Sequence, residues 1–524
     1  MPTLSTPVPP RATLGVMTAA GIEQRDDANA IARGLERFRA VRRSLEEAVL
    51  PLATSLDGRR FTFQASLHGL ELQLGGYVVI EQGERREFGQ VLDLSLEHAS
   101  GTELDLPSDD PGSLGLKTGV TLRLARGEGA VIEGDGAPFH DAMLRPATAE
   151  EVRAWTGRLR RKAVLDVGEL ALAPGVPCGL DAGGFDCHTF LCGQSGSGKT
   201  YSLGVVLERL LLSTGLRIIV LDPNSDFARI ASVRDGTDPA TADAYRAATA
   251  SIAVHSAQAT GEHRLRIRLG EIGAATQAAL LRLDPIADAD EHAELTRLLD
   301  EGRMPTAEDV EASGRPGARA LQQRAHNLGI TELGVWAREQ PGSTLAALHD
   351  ESNRGVVVDL GSLPTPEEQA LVAEAVLGEL WRRREERRPV LLVIDEAHNV
   401  CPAAPENPIL ALATEHAVRI AAEGRKFGLY MLVSTQRPQK VHENVITQCD
   451  NLMLMRLNSA ADARFAQSVF SFVPPRLVDQ APVFRLGEAL VAGKLSPNPS
   501  LLRFGSRISE EGGSDVPATW AGGG

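Results

Sequence analysis

Residues 188–213, HTFLCGQSGSGKTYSLGVVLERLLLS, join an apolar run, a glycine-rich turn and a helix-like segment. The central portion, GQSGSGKT, fits the pattern G-x-x-x-x-G-K-[ST], and the five residues before it form a candidate buried strand. Glycines at these positions let backbone N–H groups curl around phosphates at the N-terminus of the following helix. The stretch therefore predicts a nucleotide-binding loop between a strand and a helix.

Two side chains of this loop have distinct chemical tasks. Lys199 supplies a positive charge to the β- and γ-phosphates, and Thr200 offers its hydroxyl to Mg²⁺. We therefore expect ATP and Mg²⁺ as cofactors. The residues expected to contact the nucleotide are Gly193, Gln194, Ser195, Gly196, Ser197, Gly198, Lys199, Thr200 and Tyr201.

A second stretch, RPVLLVIDEAHN at 388–399, places two carboxylates at the end of an apolar strand. Asp395 is expected to hold the Mg²⁺ shell, and Glu396 to orient or deprotonate the attacking water. The letters DEAH also name a helicase class, but that class needs a second half with an arginine-rich motif, and none follows Glu396. An LSGGQ-like signature and an NKxD-type guanine-binding motif are absent too. DEAH-box, ABC-type and GTPase readings are therefore disfavoured.

Three further polar stretches adjoin strands. The stretch DPNSDF, 222–227, has two alternative interpretations. Either Asp222 or Asp226 faces the metal or the attacking water, or these residues only begin a turn. In EGRKFG, 423–428, Arg425 is either a group that reaches a neighbouring subunit's nucleotide or a surface ion-pair partner. In STQRP, 434–438, Gln436 ends a strand, which is a natural place for a sensor of the γ-phosphate.

From about residue 149 the pattern is α/β. Mostly unbroken apolar runs between helical segments predict strands buried on both faces, as in a parallel sheet. These runs are His188–Cys192, Arg217–Leu221, Gly355–Leu360, Val390–Ile394, Tyr430–Ser434 and Asn451–Arg456. A loop as long as the Ala- and Leu-rich stretch between them is implausible, so a helical insertion is expected at about 236–350 within a domain of residues 149–508.

The N-terminal part has a different pattern. Residues 59–148 contain the short β-rich segments LELQL, YVVIEQ, GQVLDLSL, GVTLRLA and GAVIEG, which predict a small β-barrel. Turns are expected at Gly75-Gly76, Gly83-Glu84 and Gly127-Glu128-Gly129. Residues 1–58 are expected to be a flexible start with a helical segment from Asp27 to Leu50, and residues 509–524 a flexible tail.

Composition excludes several function classes. Among 524 residues, 69 acidic against 54 basic side chains give a net charge of −15, which argues against a surface coated with DNA-binding charge. A local basic lining inside a ring remains compatible with it. Five cysteines without a CxxC pair disfavour zinc and favour reduced thiols. The sequence lacks an apolar run of spanning length and a signal-peptide pattern, so a cytoplasmic protein without membrane partners is expected.

Taken in order, these features resemble one family. A barrel, GQSGSGKT, DPNSDF, a helical insertion, VIDEAHN, EGRKFG, STQRP and finally RLGEALVAG are similar to the HerA family of the HerA–FtsK superfamily, over roughly residues 60–508. Its members are hexameric ring ATPases that translocate double-stranded DNA. The resemblance implies an α/β fold: a RecA-like P-loop ATPase core with a helical insertion, preceded by a small N-terminal β-barrel like that of ATP synthase subunits.

The resemblance also implies roles for individual residues. Lys199 and Thr200 fall on the phosphate and metal positions, Asp395 on the Walker B aspartate, Glu396 on the catalytic glutamate, Asp222 on the aspartate after the second strand, Arg425 on the trans arginine finger and Gln436 on the sensor. Two departures stand out. DPNSDF replaces the common Asp-Pro-His-Gly-Glu-Tyr, and Asp186-Cys187-His188 stands where the family often has an arginine, so a second basic contact to nucleotide is in doubt.

The function expected on this basis is ATP-driven translocation or unwinding of double-stranded DNA by a homohexamer. A partner nuclease or defence effector would dock on the barrel, in DNA end processing or antiphage defence. The alternatives are an ATP-dependent assembly scaffold for an effector, and a pump like FtsK or the type IV secretion ATPases. Possible pore contacts to DNA phosphates are Arg437, Lys440 and the segment from Arg315 to Arg324.

Overall fold

The computed structural model describes residues 32–33, 35–36, 39–105, 117–159, 163–300, 315–337 and 342–512. These form two compact units. The first consists of the described residues up to Gln73 together with Val78–Pro146, and the second of Leu74–Tyr77 with the residues from Ala147 onward. Of the predicted N-terminal helix, residues 39–47 are helical, and the start of the chain, 1–31, lies outside the described residues.

Six antiparallel strands close a barrel in the first unit. They are β1 (Leu52–Ser55), β2 (Arg60–Ser66), β3 (Tyr77–Gln82), β4 (Arg85–Asp105), β5 (Lys117–Glu133) and β6 (Phe139–Pro146). The order is β1-β2-β5-β4-β3-β6, and pairing of β1 with β6 closes the ring. Alternate residues of β2 are buried, as expected for strands with one face toward a core. The first strand precedes residue 59, where the sequence places the start of the barrel.

Two details of the predicted barrel are wrong. Gly127-Glu128-Gly129 is not a turn but lies inside β5, because the glycines make room for aromatic rings. A Cβ at Gly127 would stand 2.2 Å from the ring of Phe63, and one at Gly129 2.2 Å from that of Phe61. The segment LELQL, 70–74, forms no strand, although Leu72 is buried in the barrel core. Gly83 does lie between β3 and β4, with φ +64°.

An 11-stranded sheet organises the second unit. Its strands are β7 (Val164–Leu170), β8 (Pro177–Asp181), β9 (Thr189–Cys192), β10 (Arg217–Asp222), β11 (Ile252–Ser256), β12 (Gly355–Asp359), β13 (Val390–Ile394), β14 (Leu429–Thr435), β15 (Asn451–Leu454), β16 (Glu488–Ala492) and β17 (Ser500–Phe504). The order is β11-β12-β10-β13-β14-β9-β15-β16-β17-β7-β8. The strands from β11 to β15 in this order run parallel, and β16, β17, β7 and β8 extend the sheet antiparallel. Every residue of β9, β12, β13 and β15 is buried, as the unbroken apolar runs predict.

Helices connect these strands. They are α1 (Ala149–Arg158), α2 (Lys199–Ser213), α3 (Pro239–Thr249), α4 (Ala274–Leu280), α5 (Ala289–Asp300), α6 (Pro316–Asn327), α7 (Thr344–Ala347), α8 (Pro366–Arg382), α9 (Pro408–Glu423), α10 (Glu443–Ile446), α11 (Ala460–Val469) and α12 (Pro475–Val478). The parallel strands with intervening helices form the expected RecA-like core. The segment from 236 to 350 is not wholly helical, because β11 lies within it and pairs with β12 at the sheet edge.

The ordered core also extends past residue 508. Ser509 donates from its backbone N–H to a carboxylate oxygen of Glu208 at 2.7 Å, and Gly512 donates to the carbonyl of Asp226 at 3.0 Å. The first residues of the predicted flexible tail are therefore held beside α2, and residues 513–524 lie outside the described part. All five cysteines are buried, and none of them is in a disulfide with another described residue. Among the described helices, none has the length and apolar character needed to cross a membrane.

Candidate nucleotide site

The glycine-rich loop occupies the junction of β9 and α2. Gly196 and Gly198 have φ of +72° and +90°, a conformation that glycine adopts without steric cost, and Gly198 is the N-cap of α2. The stretch RLGEALVAG, 485–493, braces this loop, because Gly487 donates its N–H to the carbonyl of Ser197 at 3.1 Å. A Cβ on Gly198 would lie 3.4 Å from the Gly487 nitrogen. The C-terminal motif, which contains β16 of the same sheet, thus supports the loop through a backbone hydrogen bond.

Lys199, the first residue of α2, contacts both carboxylates of the DEAH stretch, those of Asp395 and Glu396. Its Nζ donates to Asp395 Oδ1 at 2.7 Å and to Ser434 Oγ at 3.0 Å, and lies 3.1 Å from Glu396 Oε1. Burial by itself lowers the pKa of Lys199, but the two carboxylates outweigh it and raise the pKa, so the ammonium stays charged. Three elements far apart in sequence therefore converge on one buried cation.

Glu396 is also held by Gln436, which follows β14, and by His398, which follows β13. Gln436 donates from Nε2 to Glu396 Oε1 at 2.7 Å and from its backbone N–H to Oε2 at 3.3 Å. His398 Nδ1 lies 3.3 Å from Oε2 and 3.1 Å from Thr435 Oγ1. Glu396 itself has φ +40°, which is costly for a residue with a side chain and marks a functionally constrained position. The carboxylate is thereby fixed in orientation at the carboxyl end of the sheet.

Three aspartates gather beside this group. Carboxylate oxygens of Asp222, Asp226 and Asp395 lie within 4.8 Å of one another, and Asp395 Oδ2 is buried without a hydrogen-bond partner. Asp222 accepts backbone N–H bonds from Asp226 at 3.0 Å and Phe227 at 2.7 Å. It therefore both begins a turn and belongs to the acidic cluster. Burial raises the pKa of Asp222 to about 7 and, with the charge of Asp395, that of Asp226 to about 6.

Arg425 is not part of this assembly. It precedes β14, whereas Gln436 follows it, and seven residues at roughly 3.3 Å each separate the two ends by about 20 Å. Arg425 donates to Asp450 Oδ2 at 2.6 Å, and its side chain is 42% exposed. Within one chain it is therefore an ion-pair partner at the amino ends of the parallel strands, whereas the nucleotide loop lies at their carboxyl ends.

The remaining nucleotide-contact candidates lie on the loop and the start of α2. Thr200 is half-buried in the first turn. The Tyr201 hydroxyl accepts a hydrogen bond from the Arg507 N–H at 2.8 Å. The Gln194 side chain accepts one from the Asn458 N–H at 2.9 Å, so it ties the loop to the segment after β15.

The possible pore contacts separate into two sets. Arg437 and Lys440 are exposed and follow Gln436 directly. In the insertion, by contrast, Arg324 pairs with Asp288 at 2.6 Å, and Arg315 lies 3.5 Å from Glu294. Carboxylates of the insertion therefore already neutralise these two arginines, which makes them poorer phosphate ligands than the first pair.

Sequence reasoning missed several members of the site. Ser434, Thr435 and His398 lie inside the quoted stretches STQRP and VIDEAHN but were given no role. The available signal was polarity in a buried strand: Ser434 and Thr435 end β14 after an apolar run, and both are fully buried. Buried polar side chains need partners, so such residues point to a site.

Part of the chain matches a known family model, and several curated proteins are similar to it. The family model described as Helicase HerA, central domain, matches residues 165–380. The DNA double-strand break repair helicase HerA of Sulfurisphaera tokodaii is 29% identical over 168 residues, which cover 30% of this chain and 33% of that protein. Its counterpart in Pyrococcus furiosus is 24% identical over 393 residues, 65% of this chain and 69% of that protein. The chain thus spans about a third of the length of the first of these relatives.

Solved structures with a related arrangement include the bacterial conjugative coupling protein TrwB and VirB4 of Thermoanaerobacter pseudethanolicus. TrwB has a TM-score of 0.43 at 15% identity and covers 69% of this chain and 92% of its own. VirB4 has a TM-score of 0.43 at 13% identity and covers 66% and 98%. By its family-model match and its curated relatives, the chain is similar to the HerA helicases, and the family model covers residues 165–380.

Proposed function

We propose that this protein hydrolyses ATP and uses the cycle to translocate or unwind double-stranded DNA as a cytoplasmic homohexamer. The observation that carries the proposal is the buried convergence of Lys199, Asp395, Glu396 and Gln436 at the carboxyl end of the sheet. The curated relatives are named DNA double-strand break repair helicases, which supports duplex DNA as the substrate on which the work is done.

Hydrolysis would begin with a change of partner at Lys199. When phosphates enter the loop, the ammonium of Lys199 moves from Asp395 to the phosphate oxygens. Because the phosphates carry several negative charges, they attract the ammonium more strongly than one carboxylate does. Glu396 then faces the water that attacks the γ-phosphoryl group and accepts its proton. Gln436 holds both carboxylate oxygens of Glu396, Oε1 through its side-chain amide and Oε2 through its backbone N–H, and so fixes the orientation of the base toward the water. The side-chain amide of Gln436 also lies where it can register whether the γ-phosphate is present.

The acidic cluster fits a hard divalent cation. Asp395 Oδ2 is buried without a partner, carboxylates of Asp222 and Asp226 lie beside it, and Thr200 adds a hydroxyl on α2. All of these are oxygen donors, the ligands that Mg²⁺ prefers. We therefore assign Thr200, Asp395 and Asp222 to its shell. Bound there, Mg²⁺ would neutralise charge on the β- and γ-phosphates.

Coupling to DNA would run through the segment after Gln436. Arg437 and Lys440 are exposed, and the same segment is tied to the loop after Glu396. Ala403 donates its N–H to the Lys440 carbonyl at 2.8 Å, and His442 donates to the Cys401 carbonyl at 2.9 Å. A displacement of Gln436 or Glu396 therefore moves the basic side chains with it. Contacts of this type to backbone phosphates grip DNA without reading its sequence.

A ring of subunits would place Arg425 of one subunit at the nucleotide of the next. Arg425 lies at the sheet edge opposite its own nucleotide loop, so it can act only on the nucleotide of a neighbour. Head-to-tail contacts of that kind close into a ring. An arginine finger delivered in this way raises the hydrolysis rate by roughly 10³–10⁵-fold. We further propose that the barrel, β1 to β6, docks a nuclease or a defence effector, in DNA end processing or antiphage defence.

The test is the ATPase rate of the purified chain with and without linear duplex DNA, alongside Glu396→Gln and Arg425→Ala. Mass photometry of the same samples reports the oligomer. A hexamer whose hydrolysis is stimulated by DNA, and lost in both variants, is the expected result. A hexamer with slow hydrolysis that ignores DNA would contradict translocation and support an assembly scaffold instead.

A further inference from the structure

Arg456 lies against the outside of the phosphate-binding loop. It follows β15, whose residue Leu454 pairs with Cys192 at the end of β9, so the chain leaves both strands side by side. The carbonyl of Arg456 accepts the Gln194 N–H at 2.9 Å, and its guanidinium donates from Nη2 to the carbonyl of Gly196 at 2.8 Å. Two bonds thus fix the backbone and the side chain of one arginine to the same loop.

The charge of this arginine is uncompensated. Among the residues that the structure describes, no carboxylate forms an ion pair with Arg456, although arginines elsewhere in the chain have such partners. Its Nε is buried and has no hydrogen-bond partner. Burying a donor on a charged group without a partner is costly unless an anion arrives. The loop that it touches is the element built to receive phosphates.

We propose that Arg456 is a second cationic ligand of the nucleotide phosphates, beside Lys199. This inference rests on the proposed binding of nucleotide at the loop. The guanidinium has several N–H groups in a rigid fork, so one can hold the Gly196 carbonyl while another donates to a phosphate oxygen.

The substitution Arg456→Gln separates the two tasks of the side chain in the full-length protein. Glutamine keeps an N–H donor for the Gly196 carbonyl but carries no charge, whereas Arg456→Lys keeps the charge without the fork. Arg464→Gln is the matched control, because Arg464 is an exposed arginine on the following helix, α11. Isothermal titration with ADP and ATPγS, and kcat and KM for ATP, would be measured for each, with thermal unfolding without ligand to verify folding.

We expect Arg456→Gln to weaken ADP and ATPγS binding and to raise KM by about tenfold or more, the loss typical of one charge-assisted hydrogen bond. Arg456→Lys should recover part of the affinity, and Arg464→Gln should match the wild type. Wild-type affinity in Arg456→Gln would overturn the proposal and leave Arg456 as a loop brace only. If the wild type bound no nucleotide, and Lys199→Ala changed nothing, the proposed function would fail together with it.

Discussion

Arg425 and Gln436 lie at opposite ends of one strand, β14: Arg425 at the amino ends of the parallel strands and Gln436 at their carboxyl ends. Gln436 contacts Glu396 at the nucleotide edge, and Arg425 pairs with Asp450 at the other. One chain cannot present both side chains to one nucleotide. If both act in hydrolysis, each nucleotide is served by two chains, with the arginine contributed by the neighbour.

This relationship predicts complementation between inactive variants. Arg425→Ala and Glu396→Gln should each abolish hydrolysis alone, because every interface in such a ring lacks one group. When subunits of the two variants are mixed and reassembled, about a quarter of the interfaces pair an intact Glu396 with an intact Arg425, so about a quarter of the activity should return. Mixing Lys199→Ala with Glu396→Gln is the control and should stay inactive, because both lesions lie on the same side of the interface. Full inactivity of the first mixture would contradict a trans arginine.

The ion pair between Lys199 and the DEAH carboxylates predicts a cost in stability. Lys199→Ala leaves Asp395 and Glu396 buried without their cation, and a broken buried pair of this type costs about 3–5 kcal/mol. We expect a lower midpoint of denaturant unfolding in the absence of nucleotide. Adding Glu396→Gln to this variant removes one of the stranded charges and should recover part of the loss. An unchanged midpoint in Lys199→Ala would show that the pair contributes nothing to the ligand-free fold.

The bond from Gln436 to Glu396 predicts an effect on catalysis rather than on binding. Gln436→Glu replaces the donor with a carboxylate that repels Glu396, so the base loses its orientation. We expect kcat to fall by about 100-fold, the contribution typical of a positioned general base, while ADP affinity changes little. Gln439→Ala, which alters an exposed bond to Asp462 three residues further along, should leave both values unchanged. A loss of ADP affinity equal to the loss of kcat would assign Gln436 to binding instead.

The central strands of the sheet were easier to predict from the sequence than its edge strand or the contacts within the site. The buried strands were predictable because a run such as VLLVI at 390–394 is short, rich in β-branched residues and apolar at every position, which favours a strand covered on both faces. The strand Ile252–Ser256 was missed because it lies at the sheet edge, where alternate residues are only partly buried and the signal is weak. Ser434 was missed because its partner Lys199 lies 235 residues away in sequence, and His398 was missed because Thr435, which it contacts, lies 37 residues away, so these pairs meet only in the fold.

The glycines of β5 give a prediction for the barrel. Gly127→Ala would place a methyl group 2.2 Å from the ring of Phe63, so the ring must shift. Overpacking of this type costs about 1–3 kcal/mol. Phe63→Leu in the same chain relieves the clash with the ring, but the added carbon would still stand 2.8 Å from the Asp93 carbonyl oxygen, so only part of the loss should be recovered. The coupling energy of the double-mutant cycle measures the contact between the ring and the added methyl group. Gly157→Ala is the control, because nothing lies near the added carbon; additive effects of the two barrel substitutions would show that the ring and the glycine do not touch.

His188 predicts the direction in which stability depends on pH. Its Nδ1 accepts the Met431 N–H at 2.9 Å, and burial, with the charge of Arg425, lowers its pKa to about 4. In the unfolded chain a histidine titrates at about 6.5, so between these values only the unfolded state binds the proton. The contribution of His188 is therefore complete above pH 6.5 and is lost as pH falls toward 4, by up to about 3 kcal/mol.

The check is unfolding of the wild type and His188→Asn at pH 7.5 and pH 5. Asparagine can accept the Met431 N–H but does not titrate, so the variant should lose less stability between the two values than the wild type. The buried His255 and His349, whose pKa values are also lowered to about 4, contribute equally to both proteins and cancel in the difference. His140→Asn, at an 81% exposed side chain, should behave as the wild type does. Equal losses in the wild type and His188→Asn would mean that His188 becomes protonated in the folded protein, contrary to its burial and its bond to Met431.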